Sequence, residues 1–113
     1  MIVRNINSKE VMAETYIAHG GAFAQRVLDQ RVLREIGFFY TATLPSGKEI
    51  EAHTDPMEEI YFIMQGEGEM TVGDETQHVV PGDAIWLPAK VPHGLVNSGN
   101  ENLSIISVAS PNW

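Results

Sequence analysis

Turn residues recur at short, regular intervals from Gly37 to the end of the chain, and this constrains the fold more than any other feature. The turns are Pro45-Ser46-Gly47, Gln65-Gly66-Glu67-Gly68, Gly73-Asp74, Pro81-Gly82-Asp83 and Asn97-Ser98-Gly99-Asn100. Between them lie runs rich in β-branched and aromatic residues: Phe38 to Leu44, Glu49 to His53, Glu59 to Gln65, Gly68 to Val72, Thr76 to Val80, Ala84 to Leu87, His93 to Val96 and Leu103 to Ala109. Gly, Pro and Asn/Asp break the chain too often for long helices, so short strands in a sandwich or small barrel are expected, and a βαβ fold is not.

The first 36 residues are less determined. Asn7 followed by Glu10 predicts a cap for one short helix over Ser8 to Ala13. In Gln25 to Ile36 the apolar positions Val27, Leu28, Val32, Leu33 and Ile36 fit a helical stripe and two short strands equally well. The expected organisation is one domain, with residues 1–36 packing on the barrel or on a partner subunit and residues 37–113 forming the barrel.

The chain has 113 residues, 43% of them apolar, no cysteine and a formal net charge of −8. That suits a single core of ordinary domain size. Without cysteine, disulfides and thiolate metal sites are excluded, and His, Asp and Glu are the strong metal ligands available. The negative charge argues against nucleic acid and anionic membrane as partners. Neither a spanning segment nor a signal-type stretch is evident, which gives a cytoplasmic expectation.

The acid is concentrated. From Glu49 to Asp83 there are ten carboxylates and no Lys or Arg, so a bound cation would relieve repulsion there. Glu67, Asp74, Glu75 and Asp83, beside glycines or in turns, are read as solvated.

On a strand, residues two apart face the same side, so His53 and Asp55 aim an imidazole and a carboxylate into one space. Glu59 shares its parity with Tyr61 and Ile63 and faces inward if they do. His93 follows Pro88-Ala89-Lys90-Val91-Pro92, a loop stiffened by two prolines. Two imidazoles with one or two carboxylates form a donor set for Fe(II), Mn(II), Ni(II), Co(II) or Zn(II). Tyr40, Tyr61 and Trp86 are read as core packing, Asn97 as a turn former or an amide supporting the site, and His19 and His78 as surface residues.

In these residues the sequence resembles the cupin superfamily. Its first motif is matched by Gly47, His53, Glu59 and Gly66, with Asp55 where the family has a second His. Its second is matched by Gly82, Pro88, His93 and Asn97, with Lys90 where the family has Gly. The resemblance implies an all-β double-stranded β-helix, or jelly-roll barrel, and a single divalent metal ion held by His53, Asp55, Glu59 and His93. Lys90 is strained if the turn needs positive φ.

The spacing of His53, Asp55 and His93 is also similar to the facial triad of non-haem iron oxygenases. The function this implies is a metal-dependent enzyme acting on a small oxygen-rich molecule, of dioxygenase, isomerase or epimerase, or lyase type. The alternative is a non-catalytic module binding a small acid or sugar. Ile60-Tyr61-Phe62-Ile63-Met64 is apolar at both parities and so wants cover on both faces, which predicts a homodimer.

Overall fold

The computed structural model describes residues 1–113. After one short helix, α1 (Lys9–Met12), the chain runs through ten strands: β1 (Thr15–Ala18), β2 (Ala22–Leu28), β3 (Phe38–Leu44), β4 (Glu49–His53), β5 (Glu59–Gln65), β6 (Gly68–Val72), β7 (Glu75–Val79), β8 (Ala84–Leu87), β9 (His93–Val96) and β10 (Leu103–Ala109). They form a six-stranded sheet, β1-β2-β3-β10-β5-β8, and a four-stranded sheet, β4-β9-β6-β7. All pairings are antiparallel. This is the expected jelly roll, two sheets closing on a shared interior.

Seven of the eight expected strands match residue for residue. β7 instead runs one residue earlier, because Val80 leaves the ladder to donate its N–H to Asp83 Oδ2 at 2.8 Å.

In β10 burial alternates strictly. Leu103, Ile105, Ser107 and Ala109 face inward; Ser104, Ile106 and Val108 face outward. The core beneath is built from Leu44, Ile50, Ile63, Met70, Val79, Leu87, Leu95, Leu103 and Ile105. Burying each such aliphatic side chain contributes about 1.5–3 kcal/mol. The inner faces of β1, β2 and β3 carry Ala18, Ala22, Ala24 and Ala42 instead. Small side chains there leave space, and the space becomes a cavity.

The N-terminal third differs from expectation in two ways. Ser8, and not Asn7, caps α1: its Oγ accepts the Val11 N–H at 3.2 Å, while Asn7 makes no capping bond to the helix. Gln25 to Ile36 is neither a helix nor two strands. Its first residues complete β2, paired with both β1 and β3, and Asp29 to Ile36 turn back towards β3.

Trp86 is not in the core. It lies 62% exposed on the outer face of the six-stranded sheet, with Nε1 donating to Glu58 Oε2 at 2.8 Å. Ile60 and Met64 on β5 and Phe23 on β2 share that outer face. Asn97 is a fully buried turn former, donating to the carbonyls of Leu44 and Glu101 and accepting from the Gly99 N–H.

Candidate metal centre

His53 and His93, forty residues apart in sequence, are cross-strand partners at the ends of β4 and β9. The pairing is not in simple register. Ile50 pairs with Leu95 but His53 pairs with His93, so one extra residue is accommodated between Ile50 and His53. A bulge of this kind re-aims the next side chain. Here it lets Ile50 stay in the core and still brings the His53 ring beside that of His93, with centroids 4.3 Å apart.

Asp55 follows in the loop to β5. Its Oδ2 lies 3.2 Å from His53 Nε2 and 3.6 Å from His93 Nε2. Its carbonyl is held by the Lys90 N–H at 2.7 Å, which ties the two ligand-bearing loops together. Lys90 adopts φ +65° to make that bond, so the strain expected of a non-glycine at this turn is present.

Glu59 approaches from the other sheet on the inward parity of β5, buried with Tyr61 and Ile63. Its Oε1 is 3.8 Å from His93 Nε2, and its Oε2 accepts a short hydrogen bond from Ser107 Oγ. The donor atoms of His53, Asp55 and His93 all lie within 4.8 Å of one another. The four residues singled out from the sequence therefore converge. Three form the tight group, and Glu59 stands at its edge with one oxygen already engaged.

The polar accounting of this group shows what it lacks. His53 Nδ1 is 2.8 Å from the Glu51 carbonyl, so that nitrogen carries a hydrogen and Nε2 is the nitrogen turned towards Asp55. Burial, and then the neighbouring His53, hold the pKa of His93 below its ordinary value, favouring the neutral ring. Its Nε2 is buried and has no hydrogen-bond partner. Burial also pushes the Glu59 carboxyl up to about 7, opposed by the Ser107 bond and reinforced by Asp55. A buried imidazole nitrogen left without a partner beside carboxylates is unfavourable, and a divalent cation would satisfy both kinds of donor at once.

His53, Asp55 and Glu59 line a cavity of about 210 Å³ together with Tyr16, Tyr40, Tyr61 and the four inner alanines, with His93 itself lying outside the lining. Tyr61 is core as expected and places its ring edge-on to His93, with centroids 5.8 Å apart. Tyr40 is only half-buried and lines the cavity. Burial raises the pKa of all three phenols above its ordinary value, so they stay protonated and can donate hydrogen bonds.

His78 is on the surface, as expected, bonded to Glu69 at 2.7 Å. His19 is exposed too, but it is no bystander: its ring stacks on His53 with centroids 3.4 Å apart and planes 8° from parallel. It reaches that place from the β1–β2 turn at φ +47°. The turn is pressed against β4, where a Cβ on Gly20 would lie 2.0 Å from Glu51 Oε1 and one on Gly21 would lie 2.3 Å from the Glu49 carbonyl. Ligand spacing could not reveal His19, because its partner lies on a strand of the other sheet. The glycine pair that follows it was the available signal.

Comparison with known proteins bears on the family and the fold. The chain is 33% identical over 98 residues to an uncharacterised protein of Methanocaldococcus jannaschii, covering 85% of this chain and 78% of that one. It is 35% identical over 78 residues to dimethylsulfoniopropionate lyase DddQ of Ruegeria pomeroyi, covering 68% of this chain but 34% of the lyase. A crystal structure from Thermotoga maritima, described as a predicted oxalate decarboxylase, superposes with a TM-score of 0.83 at 24% identity, covering 99% of this chain and 100% of that one. Residues 40–109 match the family model of the cupin domain. On these grounds the chain belongs to the cupin family.

Proposed function

We propose that this cupin holds one divalent transition metal ion through His53, Asp55 and His93, with Glu59 closing the remaining protein side, and that it is a metal-dependent enzyme acting on a small oxygen-rich molecule. The observation that carries this reading is the buried, unpartnered Nε2 of His93, aimed at two carboxylates beside a small cavity. An ion bound there would act as a Lewis acid on a coordinated substrate oxygen. The chain supplies the rest. The Glu51 carbonyl fixes the His53 tautomer, Ser107 holds Glu59, and the Tyr16, Tyr40 and Tyr61 hydroxyls offer donors to substrate oxygens.

Among dioxygenase, isomerase and lyase chemistry, lyase or isomerase type has the better support. Protonated phenols lining the cavity can donate hydrogen bonds to negative charge developing on a substrate oxygen, and one relative is a lyase.

The test is metal analysis of protein purified without chelator or affinity resin, followed by a turnover screen of small hydroxy, keto and unsaturated acids with wild type and His93→Ala. About one bound metal per chain in wild type, lost with His93, supports the centre. Bound metal without turnover of any acid would move the reading to a non-catalytic binding module. No retained or added metal would remove it.

The outer face that carries Phe23, Ile60, Met64 and Trp86, with Glu58 bonded to Trp86 at its edge, supports a homodimer, with a second copy covering it. Stable interfaces place apolar and aromatic residues at their centres and polar ones at the rim. Light scattering at micromolar concentration tests this: a monomer would sink it, and Ile60→Glu should weaken a dimer.

A further inference from the structure

Arg26 continues the inward parity of Ala22 and Ala24 on β2; the two alanines line the metal-side cavity, and the arginine lies one position beyond them on the same strand. Its Cζ lies 3.9 Å from the centroid of the Tyr16 ring, which lines the metal-side cavity. Arg26 itself lines an adjoining cavity of about 310 Å³, and the two spaces share Phe38, Tyr40 and Met57. Across the sheet Arg26 pairs with Tyr40, and Tyr40 pairs with Ser107, the residue that holds Glu59. Arg26 is thus two strand spacings, about 10 Å, from the edge of the candidate centre.

The guanidinium makes no ion pair. Glu14 and Asp29, the carboxylates nearest on that side, are both taken by Arg31, at 2.5 and 2.6 Å to Glu14 and 2.9 Å to Asp29. Stacking on Tyr16 fixes the plane of Arg26, and its polar side-chain neighbour is the neutral Tyr40 hydroxyl, not a carboxylate. A half-buried arginine held in one plane and spared a carboxylate partner is preorganised for a planar anion. Its setting makes that assignment sharper: the chain carries −8, and the candidate centre contributes Asp55 and Glu59. An anion entering this cavity would be repelled unless cations met it.

We infer that the substrate carries oxygen donors for the metal at one end and a carboxylate for Arg26 at the other, making it a small dicarboxylate or a carboxylate with a distal hydroxyl or keto group. This rests on the metal reading above and narrows it. Arg26 is a specificity residue, binding the end of the substrate that does not react.

The test is isothermal titration of Co(II)-loaded wild type, Arg26→Gln and Arg26→Lys with malonate, succinate, glutarate and adipate, and with acetate as a probe that reaches only the ion. Arg26→Gln should weaken the best-fitting diacid about tenfold or more and acetate less than about twofold. Arg26→Lys, which keeps the charge but not the fork, should fall between. Equal weakening of diacid and acetate, no weakening of either, or a wild type that binds Co(II) but no diacid would each overturn the assignment.

The same diacids are titrated into metal-free protein while the Arg26 Nε–H resonance is followed. If wild type binds no Co(II), the metal reading fails, and a resonance that still moves with a diacid and not with acetate upholds Arg26 as an anion contact. A resonance that stays still under those conditions overturns it. Thermal melts establish that each variant is folded.

Discussion

Strand β9 begins at one buried polar residue, His93, and is followed by another, Asn97, each 2% exposed, and the molecule treats them in opposite ways. Asn97 has its amide satisfied by Leu44, Glu101 and Gly99. His93 has Nε2 left without a partner. One end of the barrel is a finished core; the other holds a buried nitrogen for which the chain supplies no partner. A buried polar group that folding leaves unsatisfied, in a protein whose other end shows how completely such groups can be satisfied, marks the place where stability was not the selected quantity.

The largest expected difference between the two ends is in metal binding. His93→Ala should lower Co(II) affinity by on the order of a hundredfold or more, by analogy with the 10–100-fold that outer-shell partners alone contribute. Asn97→Ala, if folded, should leave that affinity within a few-fold. Competition against a chelating dye reads both, and a His93→Ala protein that binds Co(II) like wild type would break the comparison at its root.

Stability should show the reverse ordering. Asn97→Ala removes three hydrogen bonds and strands the Leu44 carbonyl in the core, at a cost of about 2–4 kcal/mol in urea unfolding. His93→Ala in metal-free protein removes a group that was itself unsatisfied, so its cost should be smaller, about 1 kcal/mol. A larger loss at His93 than at Asn97 would mean that the metal end is also a structural keystone.

A pH series sharpens the same contrast. Glu59 has a folded pKa of about 7 against an ordinary 4.5. The stability linked to its protonated form is therefore fully present below about 4.5 and is lost as pH rises to about 7. For metal-free protein the shift corresponds to at most about 3 kcal/mol. Glu59→Gln should flatten that part of the profile, and an unchanged slope in the variant would assign it to other groups.

The legibility of the sequence divides along related lines. The strands from β3 to β10 could be placed because glycines, prolines and Asn/Asp turns bracket them and because β10 alternates without exception. The first two strands could not, for a physical reason: apart from Tyr16 their inward positions are Ala18, Ala22, Ala24 and Arg26, residues that make room or recognise charge and do not fill a core, so the period-two hydrophobic signal is weak. Trp86 was misplaced inside because an aromatic on a strand does not announce which face it takes, and here the face is outward. The four candidate ligands were legible by spacing and resemblance. What could not be read was their relative standing, since the closeness of Asp55 depends on the β4 bulge and on the Lys90 bond to its carbonyl.

His19 offers a finer test of how the His93 end is built. Removing its ring should free the outer face of His53 without deleting a donor of the tight group, so His19→Ala should weaken Co(II) binding by about tenfold or less. His19→Asn keeps a residue tolerant of positive φ and so separates loss of the stack from loss of the turn. If His19→Asn binds Co(II) as wild type does, the stack plays no part in holding His53.

The smallest expected effect is at Lys90, which links the two ligand loops through its backbone alone. A non-glycine at φ +65° bears a left-handed cost of roughly 1–2 kcal/mol. Glycine would relieve that but adds about 0.5–1 kcal/mol of unfolded-chain entropy. Lys90→Gly should therefore be stabilising by no more than about 1 kcal/mol, with the N–H bond to Asp55 and the Co(II) affinity kept. A urea midpoint that rises slightly at constant slope is the expected reading. A clear drop in stability would show that the lysine side chain contributes something the backbone bond does not explain, and a drop in Co(II) affinity alone would show that the stiffness of this turn is part of how Asp55 is held.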